Sequence, residues 1–182
     1  MKGLTLIELM AAVAILTIIL SVAVPGTGHL LEKYQADIAI ANLKSILMKS
    51  RVLALEHETT VTICPIQNNR CSQSWDDPIT AFSDRNNNKT IDSDEQIFFS
   101  TQMNISTGYW QKKRANTPYM KFNPQGHAFS SATTFLYCPD STNHSLAKQL
   151  VINFQGRIRV DHYLSSRGTP YASIAPLSCP TS

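Results

Sequence analysis

The sequence predicts an α+β fold, a long N-terminal helix packed on a C-terminal antiparallel β-sheet domain. Three observations predict it. An apolar run from Leu4 to Val24 is interrupted by a single charge, Glu8. Helical 3-4 spacing then continues to about His57. From Thr59 the period falls to two, with Asn, Pro, Gly and Ser clusters between short apolar stretches. A helix followed by a run of strands is the pattern of an α+β domain.

The elements follow in order. About 20 apolar residues rising ~1.5 Å each span a bilayer core of ~30 Å, so the run over 4–24 predicts a transmembrane segment. A secretory signal peptide has a shorter apolar region and a small-residue cleavage site, so this segment is expected to be retained. Pro25 and Gly26-Thr27-Gly28 predict a flexible break. The helix is expected to resume over 30–57, with Leu31, Tyr34, Ile38, Ala41, Ser45, Met48, Val52 and Leu55 as its core stripe. Leu43, Ile46, Leu47 and Leu53 widen that stripe, as suits a helix lying across a sheet. Strands are expected over Thr60–Cys64, Ile79–Ser83, Gln96–Ser100, Tyr119–Phe122, Thr133–Cys138, Gln149–Phe154 and Arg157–Tyr163. No internal repeat is evident. The tail Pro170–Ser182 is rich in Pro and Ser and is expected to be irregular.

The chain has 182 residues, enough for one globular domain beyond the apolar segment. Lys2 ahead of that segment places the N-terminus in the cytoplasm and the rest outside it. Four cysteines suit an oxidising compartment. Of three possible connectivities, the expected one joins Cys64 to Cys71 in a short loop and Cys138 to Cys179 at the C-terminus. Zinc is the rival reading, but C-x2-C and H-x3-H spacings are missing. Net charge is +3, unevenly spread: residues 1–100 carry 8 basic and 11 acidic side chains, residues 101–182 carry 8 and 2. A basic second half suits an anionic partner; solvated surface is the plainer reading.

Gly3, the TLIEL stretch containing Glu8, and Pro25 stand in a register that resembles the class III leader of type IV pilins and pseudopilins. The resemblance implies a leader of residues 1–3, cut by a prepilin peptidase after Gly3, with Leu4 N-methylated. Leu4 departs from the usual Phe. It also implies that the Glu8 carboxylate pairs with the N-terminal amine of a neighbouring subunit. Residues 4–28 would be the inner-membrane helix and its break. Residues 29–182 would be a periplasmic pilin domain, extracellular in an assembled pilus. Beyond the leader, Cys64-Pro65, the loop from Phe82 to Asn88, the FNPQG stretch Phe122–Gly126, Cys138 beside Tyr137, and the late GRIR resemble the FimT/GspH branch of minor pilins.

Two loops are candidate binding sites. In Gly156-Arg157-Ile158-Arg159 the two arginines are two apart in an expected strand, so both project from one face beside a turn. Guanidinium groups there suit phosphate oxygens. In FimT-like pilins a GRxR motif binds DNA during natural transformation, and the resemblance carries that role to Gly156, Arg157 and Arg159. Charge alone adds Lys148, Arg167 and Lys112-Lys113-Arg114 as possible extensions. Asp161 on the same face is a possible internal partner for Arg159, and a soluble edge strand is the rival reading. In the second loop, Asp84, Asn86, Asn88, Asp92 and Glu95 fall at positions 1, 3, 5, 9 and 12 of a calcium loop. Lys89 replaces the turn glycine at position 6, so no calcium, other metal or cofactor is expected. An Asn-rich turn is the preferred reading.

Catalytic signatures are missing: no G-x-S-x-G, H-E-x-x-H or phosphate loop occurs. The expectation is a non-enzymatic minor pilin, competent for double-stranded DNA uptake, with other pilins, the prepilin peptidase and the inner membrane as partners. The alternatives are a FimU-like tip or assembly-initiating subunit and a GspH-like pseudopilin of type II secretion, neither binding DNA.

Overall fold

The computed structural model describes residues 5–75, 77–103, 108–113, 117–128, 131–140, 146–162 and 179, without the side chains of residues 22–26, 29 and 162. The elements run α1 (Leu6–Glu56), β1 (Val61–Gln67), β2 (Arg70–Cys71), β3 (Ile79–Ser83), β4 (Ile97–Thr101), β5 (Tyr109–Lys113), β6 (Met120–Phe122), β7 (Thr133–Cys138), β8 (Lys148–Ile152) and β9 (Ile158–His162). Gly3, Leu4, Arg114, Arg167 and most of the tail lie outside the described residues. The chain divides into two compact units, Met1–Tyr34 and Gln35–Ser182.

The expected break at Gly26–Gly28 is a correction, because α1 is one helix of 51 residues. A proline removes one backbone donor, and helices with strong flanking turns absorb that loss as a local kink. Thr5 and Glu8 begin the helix with a capping box. The Thr5 amide donates to Glu8 Oε2 at 2.9 Å, and the Glu8 amide reaches Thr5 Oγ1 at 3.4 Å. The other end closes with Glu58 at φ +48° and a hydrogen bond from Thr59 N to Ala54 O, the pattern of a Schellman cap.

In the first unit, the described apolar side chains from Leu6 to Leu20 are exposed. Among the described residues no helix is long and apolar enough to cross a membrane. The side chains described in the apolar run stop at Ser21.

The second unit places the helix face differently from the expected stripe. Ala36, Ala39, Ile40, Leu43, Leu47, Ser50 and Ala54 are buried, whereas Ile38, Met48, Val52 and Leu55 are exposed. Leu43 and Leu47, which widen the expected stripe, are fully buried, and the rest of the inner face is filled by Ala36, Ala39, Ser50 and Ala54 beside Ile40.

Two antiparallel sheets complete the unit. In the first, β2-β1-β3-β4 pair in that order and β6 also pairs with β1; in the second the order is β5-β7-β8-β9. One buried cluster joins the inner face of α1 to Val61, Ile63, Ile79 and Phe122 of the first sheet and to Phe135, Tyr137, Leu150 and Ile152 of the second. The opposite face of β7 presents Leu136 and Cys138 to a smaller cluster with Ala147 and Cys179. Covered on both faces, all six β7 residues are buried.

Three strand expectations need correction. β1 runs past Cys64 through Pro65, because Asn68 and Asn69 at φ +49° and +60° turn it into β2. β5 was hidden by its charges: Trp110 and Lys112 point inward, while Gln111 and Lys113 alternate with them. The turn expected at Gln155-Gly156 is present but wider, taking in Asn153, Phe154 and Arg157, which were expected in the flanking strands. The disulfides are Cys64–Cys71 and Cys138–Cys179.

Candidate functional site

The turn that carries the GRIR motif is built twice. Asn123-Pro124-Gln125-Gly126-His127 follows β6, and Asn153-Phe154-Gln155-Gly156-Arg157 joins β8 to β9. In both, the glycine amide donates to the asparagine carbonyl, at 2.8 Å for Gly126 and 3.0 Å for Gly156. The residue after the glycine donates to the asparagine Oδ1, at 2.7 Å from His127 and 2.8 Å from Arg157. Both glycines need a positive φ, +71° and +73°. The tetrapeptide N-x-Q-G therefore builds the same turn in both places.

Arg51 of α1 ties the two turns together. Its Nε donates to Gly126 O at 2.9 Å and its Nη2 to Gln155 O at 3.2 Å. Ala128 N adds a direct bond to Phe154 O at 2.9 Å. The Gly156 backbone lies so near Gly126 that a Cβ added there would stand 2.1 Å from the Gly126 oxygen. Arg51 is a residue the sequence reading missed. Its signal is a lone arginine on the helix side that buries Leu47, Ser50 and Ala54, together with two glycine turns offering free carbonyls.

Arg157 and Arg159 are both exposed, and Arg157 lies in the turn just before β9. Ile158 and Val160 between them pack on the main core. Arg159 Nη2 is 3.2 Å from Asp161 Oδ2, so part of its charge is balanced within its own strand. The row across the second sheet runs Lys113, Thr134, Val151, Arg159, placing Lys113 on the same face at the opposite edge.

Two other cations leave the expected patch. Lys148 is buried on the inner face and ion-paired with Asp37 of α1. Lys112 is turned inward, where its Nζ donates to Thr117 O, Thr117 Oγ1 and Tyr119 O at 2.5, 2.7 and 2.7 Å. Those oxygens favour the ammonium, but burial outweighs them and pushes the Lys112 pKa down to about 8. Because the unfolded value is near 10.5, the unfolded chain binds more protons between pH 8 and 10.5. Stability relative to a Lys112→Met variant should therefore rise across that window. Paired urea titrations at pH 7.5 and 10 measure it, and a fall in the difference would contradict the burial argument.

The loop from Asp84 to Glu95 satisfies its own acids. Asp84 is fully buried and accepts from Thr62 Oγ1 at 2.7 Å. Asp92 Oδ2 accepts from Asn86 and Asn88 Nδ2 at 2.7 and 2.8 Å. Lys89 occupies the turn position at φ +62°. Among the described residues no group of three His, Cys, Asp or Glu could hold a metal ion.

A long N-terminal helix followed by antiparallel sheets is the arrangement of the type IV pilin fold. The model of the prokaryotic N-terminal methylation motif matches residues 1–24, and that of the type II transport protein GspH matches residues 39–156. The chain belongs to the GspH family. Among curated protein sequences none matches it significantly. Two crystal forms of the type IV minor pilin FimU of Pseudomonas aeruginosa strain PAO1 share the fold. At 16% identity the P21 form has a TM-score of 0.55, covering 71% of this chain and 90% of that one. The P65 form, also 16% identical, has a TM-score of 0.51 and covers 68% and 90%.

Proposed function

We propose that this GspH-family subunit is a minor pilin of a type IV pilus that binds DNA without sequence preference during natural transformation. The observation that carries the reading is the pair Arg157 and Arg159, exposed on a hairpin fixed from behind by Arg51. Phosphates can approach the pair without burying either charge, and contacts to phosphate carry no sequence information. The subunit would be cut after Gly3, methylated on Leu4 and anchored in the inner membrane by residues 4–28, with a periplasmic domain that becomes extracellular in the pilus. Glu8 would exchange its contact with Thr5 for the amine of a neighbouring subunit. The exposed Ile38, Met48, Val52 and Leu55 on the outer face of α1 suit packing against other pilins. The role is structural and binding rather than enzymatic.

Lys113, Arg157 and Arg159 would neutralise about three phosphates, so log K should fall with log salt at a slope of roughly −3. Arg157→Gln/Arg159→Gln should remove DNA binding by the full chain in detergent, with an unchanged melting temperature. A folded double variant with native affinity would move the function to a FimU-like tip or assembly subunit. The fold shared with FimU and the Arg159–Asp161 pair favour that second reading. A GspH-like pseudopilin role stands beside it on the family match.

A further inference from the structure

Phe154 is 59% exposed at the tip of the β8–β9 hairpin. Folding does not explain it. The twin turn has Pro124 at the same position, so the N-x-Q-G geometry does not require an aromatic ring there. Nor does the ring fill a core. Yet its backbone is fixed on both sides, by Ala128 N on the Phe154 carbonyl and by Arg51 on the Gln155 carbonyl. The result is a rigid finger with an aromatic tip, three residues before an exposed arginine.

The charges beside it are few. Arg159 is shared with Asp161, while Lys148 and Lys112 are turned inward. Two or three phosphate contacts alone give weak binding at physiological salt. One aromatic stack on a base adds about 5- to 150-fold, enough to dominate so small a cationic set. Bases inside a duplex are already stacked, and a wedge must first pay to separate them. An unpaired base offers its face at no such cost.

We propose that the hairpin tip takes unpaired nucleobases. Phe154 stacks on the base and Arg157 holds the adjoining phosphate, so the site prefers single-stranded or frayed DNA to intact duplex. This rests on the DNA-binding reading above and names the form of DNA that the site selects.

Phe154→Trp supplies a direct probe, because Trp75 and Trp110 are only 4% and 6% exposed and report little from the surface. The full chain in detergent is titrated with an oligothymidylate and with a duplex of equal length. The expected result is quenching of the tip indole by the single strand and at least about fivefold tighter binding of it by the native chain. Phe154→Ala should lose that preference, with duplex affinity changed less than about twofold. An unquenched indole in Phe154→Trp and an unchanged Phe154→Ala affinity, alongside a weakened Arg157→Gln, would overturn the stacking role and leave DNA binding standing. No binding of either DNA by the native chain would sink both. If Phe154→Ala instead weakens association with a second pilin and leaves oligothymidylate affinity intact, the tip is a protein contact and the proposal fails.

Discussion

Changing Gly156 to alanine is expected to destabilise the globular domain by about 2–5 kcal/mol, the sum of a left-handed backbone penalty and a forced repacking. The glycine sits at φ +73°, and its new methyl would stand 2.1 Å from the Gly126 carbonyl oxygen. Neither backbone can yield without breaking the bonds from Arg51. Gly126 provides the internal control. Its φ is +71°, but an added Cβ would stand 3.0 Å from Arg51 Nε, a contact relieved by a shift of a few tenths of an ångström rather than by parting two backbones. Gly126→Ala should therefore cost clearly less. Urea unfolding of both variants measures the ranking, and equal losses would show that the close turn-to-turn approach contributes nothing.

The second large effect is expected from Cys138→Ser/Cys179→Ser. The bridge closes a sequence separation of 41 residues, for which loop entropy predicts about 4 kcal/mol of stabilisation. The Cys64–Cys71 bridge spans only 7 residues, and the same relation gives about 2.5 kcal/mol. Loss of the longer bridge also uncovers Leu136, Ala147 and Tyr109 on the outer face of the second sheet. Thermal melts of the two double variants should rank in that order. A more damaging loss of the short bridge would mean that its hairpin, rather than chain entropy, sets the scale.

Much of this fold was legible in the sequence. β7 occupies the expected residues Thr133–Cys138 because β-branched and aromatic side chains fill both of its faces. The bridges follow from loop length and compartment. The inner face of α1 was legible only in part: Leu43 and Leu47 stood in the widened stripe and are buried, but hydropathy ranks Met48, Val52 and Leu55 above Ala36, Ala39 and Ser50. Burial there follows which side of the helix meets the sheets. β5 was hidden because Lys112 reads as surface charge until the oxygens of Thr117 and Tyr119 are seen around it. At the candidate site, the alternation of Arg157 and Arg159 with core-facing Ile158 and Val160 was readable from the period of two. Arg51 was not, because its two acceptors lie 75 and 104 residues away along the chain.

The guanidinium of Arg51 also has a mechanical meaning. Among the described residues β9 pairs with β8 alone, and an edge strand tugged from one end unzips one rung at a time. The tip of this hairpin does not hang on those rungs only. Tension applied at Phe154 or Arg157 passes through the Gln155 carbonyl into α1, which shares it with the first sheet through Gly126. The hairpin is moored to the helix, and a pull on its tip must shear several bonds together before any strand can peel.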